Sequence, residues 1–373
     1  MRILHINRNY ISSKLHRLMV NHLNQYKDIE NVVFAPIDFT ESDEDVLSNE
    51  NVFVSNCFNK YDRVIFDWKQ RKIMAAVENH FDINQFDCIH AYTLFTDGNC
   101  AMNLSEKYGV PYIVAVRNTD VNDFFKKLPF LRKRGIRIME KAYAICFLSE
   151  SYRDKVFNLY VPDRLKNKLK RKSYIVPNGI DDFWLNNTYE VAREVHRPLR
   201  LIYAGRIDRN KNIETSIKVI KELERMGILS ELNVVGEVYD RKIYRNILKQ
   251  QAVQYHKAVT KEKLIHFYRK SDVFIMPSFT ESFGLVYAEA MSQGLPVIYT
   301  RGEGFDNQFA DGEVGYSVDP ENSEEIAGAI IRIVEKYKQI SKSAVEKSKK
   351  FNWNDISKYY RNLYISVCAK NGV

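Results

Sequence analysis

The sequence PSFTESFGLVYAEAMSQGLPVI occupies residues 277–298 and decides the fold class that we predict. A helix predicted over Gly284–Met291 lies between two apolar runs, Asp272–Met276 and Pro296–Tyr299, each of strand length. Strands that are apolar at nearly every position are typical of parallel sheets with helices on both faces. The stretch therefore predicts an α/β domain built around a parallel sheet.

The same alternation of apolar runs and amphipathic segments extends along the rest of the chain. Further strands are predicted at Arg2–Ile6, Cys88–Ala91, Pro111–Val116, Ala144–Leu148, Tyr174–Val176, Leu199–Ala204 and Leu232–Val235. Further helices are predicted at Lys14–Tyr26, Trp68–Asn79, Gly98–Lys107 and Ile213–Met226, with a helical region from about Ser323 to Val367. Both halves of the chain are therefore predicted to be α/β.

A pause in the alternation divides the chain into two domains. Residues 177–198 combine an Asn-Gly pair, a polar run and a proline, a composition typical of a connection. A length of 373 residues also fits two domains, at roughly 150 residues each. We predict one domain over residues 1–185, a second over 186–355, and a last helix over 356–373 that packs back on the first domain. Two such halves imply a cleft between them, which is a preferred place for a ligand.

The composition excludes several classes of protein. Hydrophobic residues make up 45% of the chain, which is enough for a buried core and excludes a disordered protein. The longest apolar run, Ala142–Leu148, is far shorter than the roughly 20 residues of a membrane-spanning helix. The start, MRILHINRNY, lacks the apolar core of a signal peptide, and the five scattered cysteines form no C-x-x-C pair. We therefore expect a cytoplasmic protein without a disulfide framework or a zinc site.

The positive charge is concentrated in one segment. The chain has a net charge of +9, but residues 126–172 hold 15 Lys and Arg against 4 Asp and Glu, a balance of +11. The two densest parts are KKLPFLRKRGIR (126–137) and RLKNKLKRK (164–172), and apolar residues are interleaved with the first. This mixture favours contact with an anionic membrane surface or an anionic acceptor, and the alternative is a solvated, basic helix face. We expect no nucleic-acid partner, because no recognised binding motif or aromatic stacking platform is present.

Residues 277–298 also carry candidate chemistry. Two carboxylates, Glu281 and Glu289, are separated by seven residues, the first before the predicted helix and the second within it. Ser282, Phe283 and Gly284 lie at the predicted helix start, where free backbone N–H groups and the positive end of the helix dipole attract anions. A glycine at this place lets a phosphate approach the backbone closely.

A second strand-turn-helix element offers two cations. In LIYAGRIDRNKNIE (201–214), Arg206 and Lys211 come just after a strand, at the edge of a parallel sheet where ligands bind. Cations at that edge can neutralise a diphosphate as a bond to it breaks. The RGEG turn (301–304) lacks the third glycine of a dinucleotide fingerprint, so we interpret it as a loop lining the cleft.

These residues resemble the motifs of the retaining glycosyltransferases of family GT4, which have the GT-B fold of two Rossmann-like domains facing each other across a cleft. Glu281 and Glu289, followed by AMSQGLPVI, match the E-x7-E pattern, and Arg206 and Lys211 match GR-x4-K. IVPNGID (175–181), IHAYTLFTDG (89–98) and YGVPYIVAVRNTD (108–120) also resemble family segments. The likeness covers nearly the whole chain and is strongest over 199–319.

The resemblance implies a nucleotide-diphosphate sugar donor, a UDP- or GDP-sugar, held mainly by the C-terminal domain. It implies that Arg206 and Lys211 contact the diphosphate and that Glu281 binds sugar hydroxyls. It also implies that Glu289 binds the ribose. The helix start, Ser282 with the backbone N–H groups of Phe283, Gly284 and Leu285, completes the implied donor site. The family retains the anomeric configuration by a front-face mechanism, without a metal or another cofactor. The implied acceptor is a glycan or a lipid-linked sugar in cell-surface polysaccharide or glycoconjugate synthesis.

The resemblance also gives acceptor-side candidates in the N-terminal half: His90, Arg117 and Asp120. Family members often carry a histidine where this chain has Arg117, in VAVRNTD. Arginine cannot act as a neutral base but can bind a phosphate or an anionic acceptor. The family's Gly-Gly turn after the first strand is also replaced, by NRNYISSKLHR (7–17), which contains Ser12 and Ser13.

Two other functions stay open at this point. A nucleotide-sugar epimerase on the same fold would consume a donor without an acceptor. A non-catalytic binding module would keep the fold alone, but the intact Arg206, Lys211, Glu281 and Glu289 argue against it. Structural roles also remain open for individual residues: a buried core position for His90, an ion pair for Arg117 and a loop or cap position for Asp120.

Overall fold

The computed structural model describes residues 1–38, 51–59, 61–63 and 65–370. The chain forms two compact units. The first is drawn from residues 1–148, 152–179 and 353–373, and the second from residues 149–151 and 180–352.

The first unit is built on a parallel sheet. Within the described residues this sheet has seven strands: β1 (Arg2–Ile6), β2 (Glu30–Asp38), β3 (Val52–Phe58), β4 (Cys88–Ala91), β5 (Tyr112–Val116), β6 (Ala144–Phe147) and β7 (Ser173–Ile175). Their order is β3-β2-β1-β4-β5-β6-β7 with every neighbouring pair parallel. Side chains of β1 alternate between two apolar clusters, with Ile3 in one and Leu4 and Ile6 in the other. The sheet is therefore covered on both faces, which explains why its central strands are almost uniformly apolar.

Six helices precede the boundary of the first unit in the described chain: α1 (Lys14–Leu23), α2 (Phe66–His80), α3 (Thr96–Tyr108), α4 (Arg132–Lys141), α5 (Glu150–Leu159) and α6 (Asp163–Lys170). Ser13 caps α1, because its side chain accepts the N–H of His16. The helix α3 ends at Gly109, which has a φ of +78°. Glycine adopts this left-handed conformation without the strain of a side chain, so the helix stops there.

The second unit repeats the architecture. Its parallel sheet has six strands in the described chain: β8 (Leu199–Ala204), β9 (Ser230–Gly236), β10 (Val253–Lys257), β11 (Val273–Ile275), β12 (Val297–Thr300) and β13 (Gly315–Val318), in the order β10-β9-β8-β11-β12-β13. The helices are α7 (Asp182–Asn186), α8 (Ile213–Arg225), α9 (Arg241–Ile247), α10 (Lys261–Lys270), α11 (Leu285–Ser292), α12 (Ser323–Glu335) and α13 (Tyr337–Ser348). The strand order reverses beside β8, so the carboxyl ends of β8 and β11 are where a ligand is expected.

The chain returns to the first unit through its last helix, α14 (Trp353–Lys370). The hydroxyl of Tyr143 donates a hydrogen bond of 2.7 Å to the backbone oxygen of Ser366, and Arg361 pairs with Asp28 at 2.8 Å. A side chain at Gly179 would lie 2.6 Å from the ring of Trp353, so the backbone of 179 packs directly on this ring. The start of α14 is thereby fixed within the first unit.

The predicted fold class, α/β with two Rossmann-like domains, is confirmed. The compact units divide after residue 179, whereas the sequence placed the boundary after residue 185, and the last segment joins the first unit from residue 353 rather than 356. The strands β2, β3, β10 and β13 are absent from the sequence prediction. β3 and β10 are edge strands with polar residues facing out, so neither shows a long apolar run, and the apolar run of β2 contains Pro36, a residue that is rare inside a sheet. In the described chain, no helix is both long and apolar enough to cross a membrane.

Candidate active site

The loop after β8 presents Arg206 and Lys211 at the carboxyl edge of the second sheet. A side chain at Gly236 would lie 1.8 Å from the backbone oxygen of Gly205, so β9 can pack this close to the loop only because residue 236 is glycine. Arg206 lies over the ring of Tyr239 at 5.4 Å, and its Nε is 3.4 Å from a carboxylate oxygen of Asp208. The Arg206 side chain is 57% exposed, which leaves its guanidinium accessible to an anion.

Lys211 and Glu281 form an ion pair. The Nζ of Lys211 lies 2.5 Å from Oε2 of Glu281, although 70 residues separate them in the chain. Their side chains are 16% and 10% exposed, so water screens this pair only weakly. The pair joins the two sequence motifs at one point, as their predicted roles require.

Two asparagines hold the two motif loops together. The side chain of Asn210 donates to the backbone oxygen of Thr280 at 2.9 Å, and its backbone oxygen accepts from the N–H of Phe279 at 2.8 Å. Asn212 has a left-handed φ of +54°, and its side chain donates to the backbone oxygen of Pro277. Sequence reasoning missed both residues, although Asn210 lies inside the GR-x4-K motif and Asn212 directly follows it. Asparagine is the residue that best tolerates the left-handed conformation of Asn212 after glycine.

Glu303 is a further residue that sequence reasoning missed. Its Oε2 accepts the backbone N–H of Glu281 at 2.9 Å, and the N–H of Gly304 donates to the backbone oxygen of Glu281 at 2.9 Å. A side chain at Gly304 would lie 2.0 Å from the backbone oxygen of Ser282. The RGEG turn therefore supports the backbone that carries Glu281, and the glycine spacing in this turn is its only signal in the sequence.

The start of α11 has the geometry of an anion site. Gly284 has a φ of +75°, and a side chain there would lie 2.3 Å from the ring of Tyr287. The hydroxyl of Tyr287 donates a hydrogen bond of 2.6 Å to the backbone oxygen of Met276, so movement of this ring would break that bond. In the described structure no hydrogen bond is recorded from the backbone N–H groups of Phe283, Gly284 or Leu285. The helix begins at Leu285 instead of the predicted 284, because the left-handed glycine breaks the helical geometry.

Ser282 and Phe283 have different environments at this helix start. The Phe283 side chain is buried and packs against Phe351, with ring centroids 5.5 Å apart, so only its backbone is available to a ligand. Ser282 and Leu285 are partly exposed. The backbone N–H groups of Phe283 and Gly284 are thus the groups of this segment that a ligand would meet, together with the partly exposed Ser282 and Leu285.

Glu289 lies on α11 in a partly buried position. The pKa of its carboxyl group is raised from 4.5 to about 7, mainly by burial and to a smaller extent by the nearby charge of Asp181. A hydrogen bond from Trp184 and the charge of Lys261 oppose this shift, and Lys261 itself pairs with Asp181 at 2.7 Å. A carboxyl group with this pKa changes its charge near neutral pH and can accept hydroxyl hydrogen bonds once it is ionised.

A cavity of about 700 Å³ adjoins this edge of the second sheet, at the ends of β9 and β10. Gly236, Glu237 and Val238 line it together with Tyr244 and Tyr255. The backbone N–H of Tyr239 donates to the oxygen of Ile207 at 3.1 Å, which ties the cavity wall to the Arg206 loop.

In the first unit, His90 is a buried residue of β4. Its Nδ1 lies 2.7 Å from the hydroxyl of Tyr364, and its ring stacks on Tyr92 with centroids 4.5 Å apart. Burial lowers the pKa of His90 well below 6.5, and the neighbouring charges of His5 and Arg117 act in the same direction. His90 is therefore a neutral core histidine in this structure, packed under α14.

Arg117 and Asp120 lie together after β5. The guanidinium of Arg117 donates to the backbone oxygen of Tyr92 and to Oδ1 of Asn178, both at 3.1 Å. The buried carboxylate of Asp120 accepts three backbone N–H groups, those of Leu94, Phe95 and Arg117, at 2.8 to 3.2 Å. Burial raises the pKa of Asp120 to about 6, and these hydrogen bonds limit the rise. Asp120 organises the loops at this edge of the sheet.

Asp120 also lines a cavity of about 390 Å³ in the first unit, beside Arg8, Thr93 and Thr119. The loop that replaces the family's Gly-Gly turn leads into it. Ser13 is used as the α1 cap, and Ser12 donates only to the backbone oxygen of Asn9, so neither serine points to a ligand role. The charged residue that this loop offers to the cavity is Arg8.

The basic segments have a mixed structure. Of the apolar residues interleaved with 126–137, Leu131, Ile136 and Ile138 are buried, Leu128 is partly buried, and Phe130 is 74% exposed. In 164–172, Lys172 donates to the backbone oxygens of Glu140 and Ala142, and burial lowers its pKa to about 8. The expected apolar face of the first segment therefore belongs largely to the protein core, because α4 packs that face inward.

Among the described residues, no group of three or more His, Cys, Asp or Glu side chains is placed to hold a metal ion.

Comparisons with known proteins agree with this architecture. Residues 189–351 match the family described as Glycosyl transferases group 1. A D-inositol 3-phosphate glycosyltransferase of Paenarthrobacter aurescens is 26% identical over 292 residues, which are 72% of this chain and 70% of that protein. The structure of a sucrose-phosphate synthase from Thermosynechococcus elongatus superposes with a TM-score of 0.76 at 18% identity, covering 99% of this chain and 100% of that one. Anabaena HepE in complex with UDP gives a TM-score of 0.74 at 14% identity over 98% of this chain and 100% of that one.

Proposed function

We propose that the chain is a GT4-like glycosyltransferase of the GT-B type. In this proposal it transfers a sugar, with retention of configuration, from a UDP- or GDP-sugar to a glycan or lipid-linked acceptor. We further propose that this hexosyl transfer serves cell-surface polysaccharide or glycoconjugate synthesis. The observation that carries the proposal is the Lys211–Glu281 ion pair, which lies beside a helix start with free N–H groups. This arrangement supports a donor that has a diphosphate next to a sugar.

Two cations and one helix start would bind the donor diphosphate. Arg206, with its exposed guanidinium, can donate two parallel hydrogen bonds to phosphate oxygens. Lys211 supplies a second positive charge in a weakly screened position. The backbone N–H groups at Gly284 and Leu285 add donors at the positive end of α11. We propose that these three sources of positive potential together stabilise the charge that develops on the leaving group, without a metal ion.

The two glutamates would bind hydroxyl groups. Lys211 occupies one carboxylate oxygen of Glu281, and the remaining lone pairs can accept hydroxyls of the transferred sugar. Glu289, about one helical turn after the start of α11, would accept the ribose hydroxyls. The 700 Å³ cavity at the ends of β9 and β10 is large enough for the nucleotide base, and Tyr244 and Tyr255 offer it aromatic edges and faces.

The proposed chemical step is a displacement at the anomeric carbon. The bond from this carbon to the β-phosphate oxygen breaks and a bond to the acceptor oxygen forms on the same face of the sugar. The acceptor proton passes to an oxygen of the departing diphosphate, so the nucleotide leaves as a diphosphate. Arg206 and Lys211 would stabilise the charge that develops on this diphosphate, and removal of one such group commonly costs on the order of 10²–10³ in rate.

The acceptor would bind to the first unit. The 390 Å³ cavity beside Asp120 offers Arg8 and the hydroxyls of Thr93 and Thr119, which suits a sugar or sugar phosphate. We also propose peripheral contact with an anionic membrane through 126–137 and 164–172, where a lipid-linked acceptor resides. Sedimentation with anionic and with neutral liposomes tests this contact. Equal, negligible sedimentation with both kinds of liposome would refute it.

A thermal-shift screen of nucleotide sugars tests the donor, since a ligand that binds only the folded state raises its melting temperature. UDP-sugars come first, because HepE was solved with UDP. Lys211→Ala and Glu281→Ala should then reduce transfer by about 10²–10³. The donor-site assignment is wrong if either variant transfers within about twofold of the wild type. Incubation with the donor alone separates the alternatives, because an epimerase consumes a UDP-sugar without any acceptor and a binding module consumes none.

A further inference from the structure

A cavity of about 610 Å³ lies in the first unit, between the N-terminal halves of α2, α3 and α4. The side chains that matter for its chemistry are Gln70, Arg71, Asn99, Phe130, Lys133, Arg134 and Arg137, with Asp67 at the edge. All of them belong to the first compact unit, so this cavity is independent of the proposed donor site.

The lining of this cavity is strongly cationic. Four basic side chains face one carboxylate, and Arg134 uses that carboxylate, since it pairs with Asp67. Arg137 pairs with Glu106, which is not part of the lining, at 2.9 Å. Arg71 and Lys133 have no recorded acidic partner among the described residues, and both are exposed. Two unpaired cations, Arg71 on α2 and Lys133 on α4, line one cavity and leave a positive potential that an anion would neutralise.

The floor of the cavity carries an unused hydrogen-bond donor. Gln70 and Asn99 are only 3% and 2% exposed, and Nδ2 of Asn99 donates to Oε1 of Gln70 at 3.1 Å. The Nε2 of Gln70 is buried and has no hydrogen-bond partner within the described chain. A buried amide without an acceptor costs about 1–3 kcal/mol, so native proteins seldom leave one unpaired without a reason. Gln70 lines the cavity, so an oxygen bound next to it would supply the missing acceptor.

We propose that this cavity binds a phosphoryl group, as a phosphate monoester or diester. A phosphate offers several acceptor oxygens and up to two negative charges, which match Arg71, Lys133 and the amide of Gln70 together. Carboxylate ligands fit less well, because two oxygens cannot serve both walls and the floor. Phe130 stands exposed on the rim, where it can contact the apolar part of a phosphorylated lipid or polyol.

The test compares two charge-matched double variants. Arg71→Gln/Lys133→Gln removes the unpaired cations of the cavity, and Lys27→Gln/Lys358→Gln removes two exposed cations of the same unit that lie outside the cavity and outside both basic segments. Calorimetry measures the affinity of each protein for glycerol phosphate in solution. Sedimentation measures binding to phosphatidylcholine vesicles with and without phosphatidylglycerol. All four positions are exposed, so both variants should fold, and melting curves check this.

The cavity variant should bind at least one of these phosphates about tenfold more weakly than the wild type, while the control variant binds it within about twofold. Binding of glycerol phosphate identifies a soluble phosphate ester as sufficient, and binding to anionic vesicles alone identifies a lipid headgroup. Gln70→Met should also weaken binding several-fold with the surface charge unchanged. Equal weakening in both double variants would show non-specific charge attraction and overturn the proposal, as would failure of the wild type to bind either phosphate.

Discussion

Removal of Lys211 should damage both folding and donor binding, and the two effects can be separated. Lys211→Met leaves the Glu281 carboxylate, which is 10% exposed, without its cation. Breaking a fully buried pair in this way costs about 3–5 kcal/mol, and the residual exposure here lowers our expectation to about 2–3 kcal/mol. For a unit of this size, that corresponds to a fall in melting temperature of roughly 4–12 °C.

The double variant Lys211→Met/Glu281→Gln isolates the pair. Because no unpaired charge remains, we expect the double variant to recover about 1–3 kcal/mol relative to the sum of the two single losses. Binding of UDP or GDP should not recover. Loss of one charged contact to the diphosphate should weaken it by about 10- to 100-fold in both variants that lack Lys211.

Thermal melting and calorimetric titration with UDP and GDP measure the two effects on the same samples. Lys218→Met is the matched control, since Lys218 is an exposed lysine on α8 in the same unit, and it should change neither quantity measurably. Our reasoning is refuted if Lys211→Met binds the nucleotide within twofold of the wild type. It is also refuted if the double variant is as unstable as the sum of the single variants, because the ion pair would then contribute nothing.

Three further variants test individual features. Gly284→Ala should lower the free energy of unfolding by roughly 2–4 kcal/mol, because it adds backbone strain and a collision with Tyr287. Gly227 is equally left-handed but has open space around it, so Gly227→Ala should lower the free energy of unfolding by only about 1–2 kcal/mol. Similar losses for both variants in urea unfolding would contradict this reasoning. Because the pKa of Glu289 is raised in the folded state, the free energy of unfolding of the wild type should fall by up to about 3 kcal/mol as the pH rises from 4.5 to 7. Glu289→Gln should therefore melt increasingly above the wild type across this range, and a constant difference would show that the pKa is not raised. Asp120→Asn should cost about 1–3 kcal/mol, since an amide cannot accept all three backbone N–H groups, whereas Asp123→Asn at the exposed edge of the same cavity should melt like the wild type.

The fold could be predicted because its signal is local. The strands β1, β4, β8 and β12 are buried on both faces, so burial requires apolar residues at consecutive positions, and these runs are visible in the sequence. The edge strand β10, Val253–Lys257, has polar residues on its outer face and gives no such run. The same difference explains why β8, β11 and β12 of the second unit were predicted while β10 was not.

The site could be predicted only in part, for a related reason. Glu281 and Lys211 were found through motifs, each of which is short and continuous in the chain. Glu303 and Asn210 act by hydrogen bonds to a loop 22 and 70 residues away, and nothing in their own neighbourhoods marks those partners. His90 is the opposite case. A histidine on an apolar strand suggests chemistry, but its ring is enclosed by α14, which comes more than 260 residues later in the chain.

The net charge of a segment likewise does not locate a binding site. The +11 of residues 126–172 suggests that the whole segment is a binding surface, yet pairing decides which of its cations are available. Lys127, Arg137 and Lys168 pair with acidic side chains, and Lys172 is used by backbone oxygens. Lys133 remains without such a partner in the described chain, and its counterpart across the cavity, Arg71, lies outside the segment altogether. A binding site for an anion is therefore defined by where unpaired cations converge in space, which a running sum of charge along the sequence does not measure.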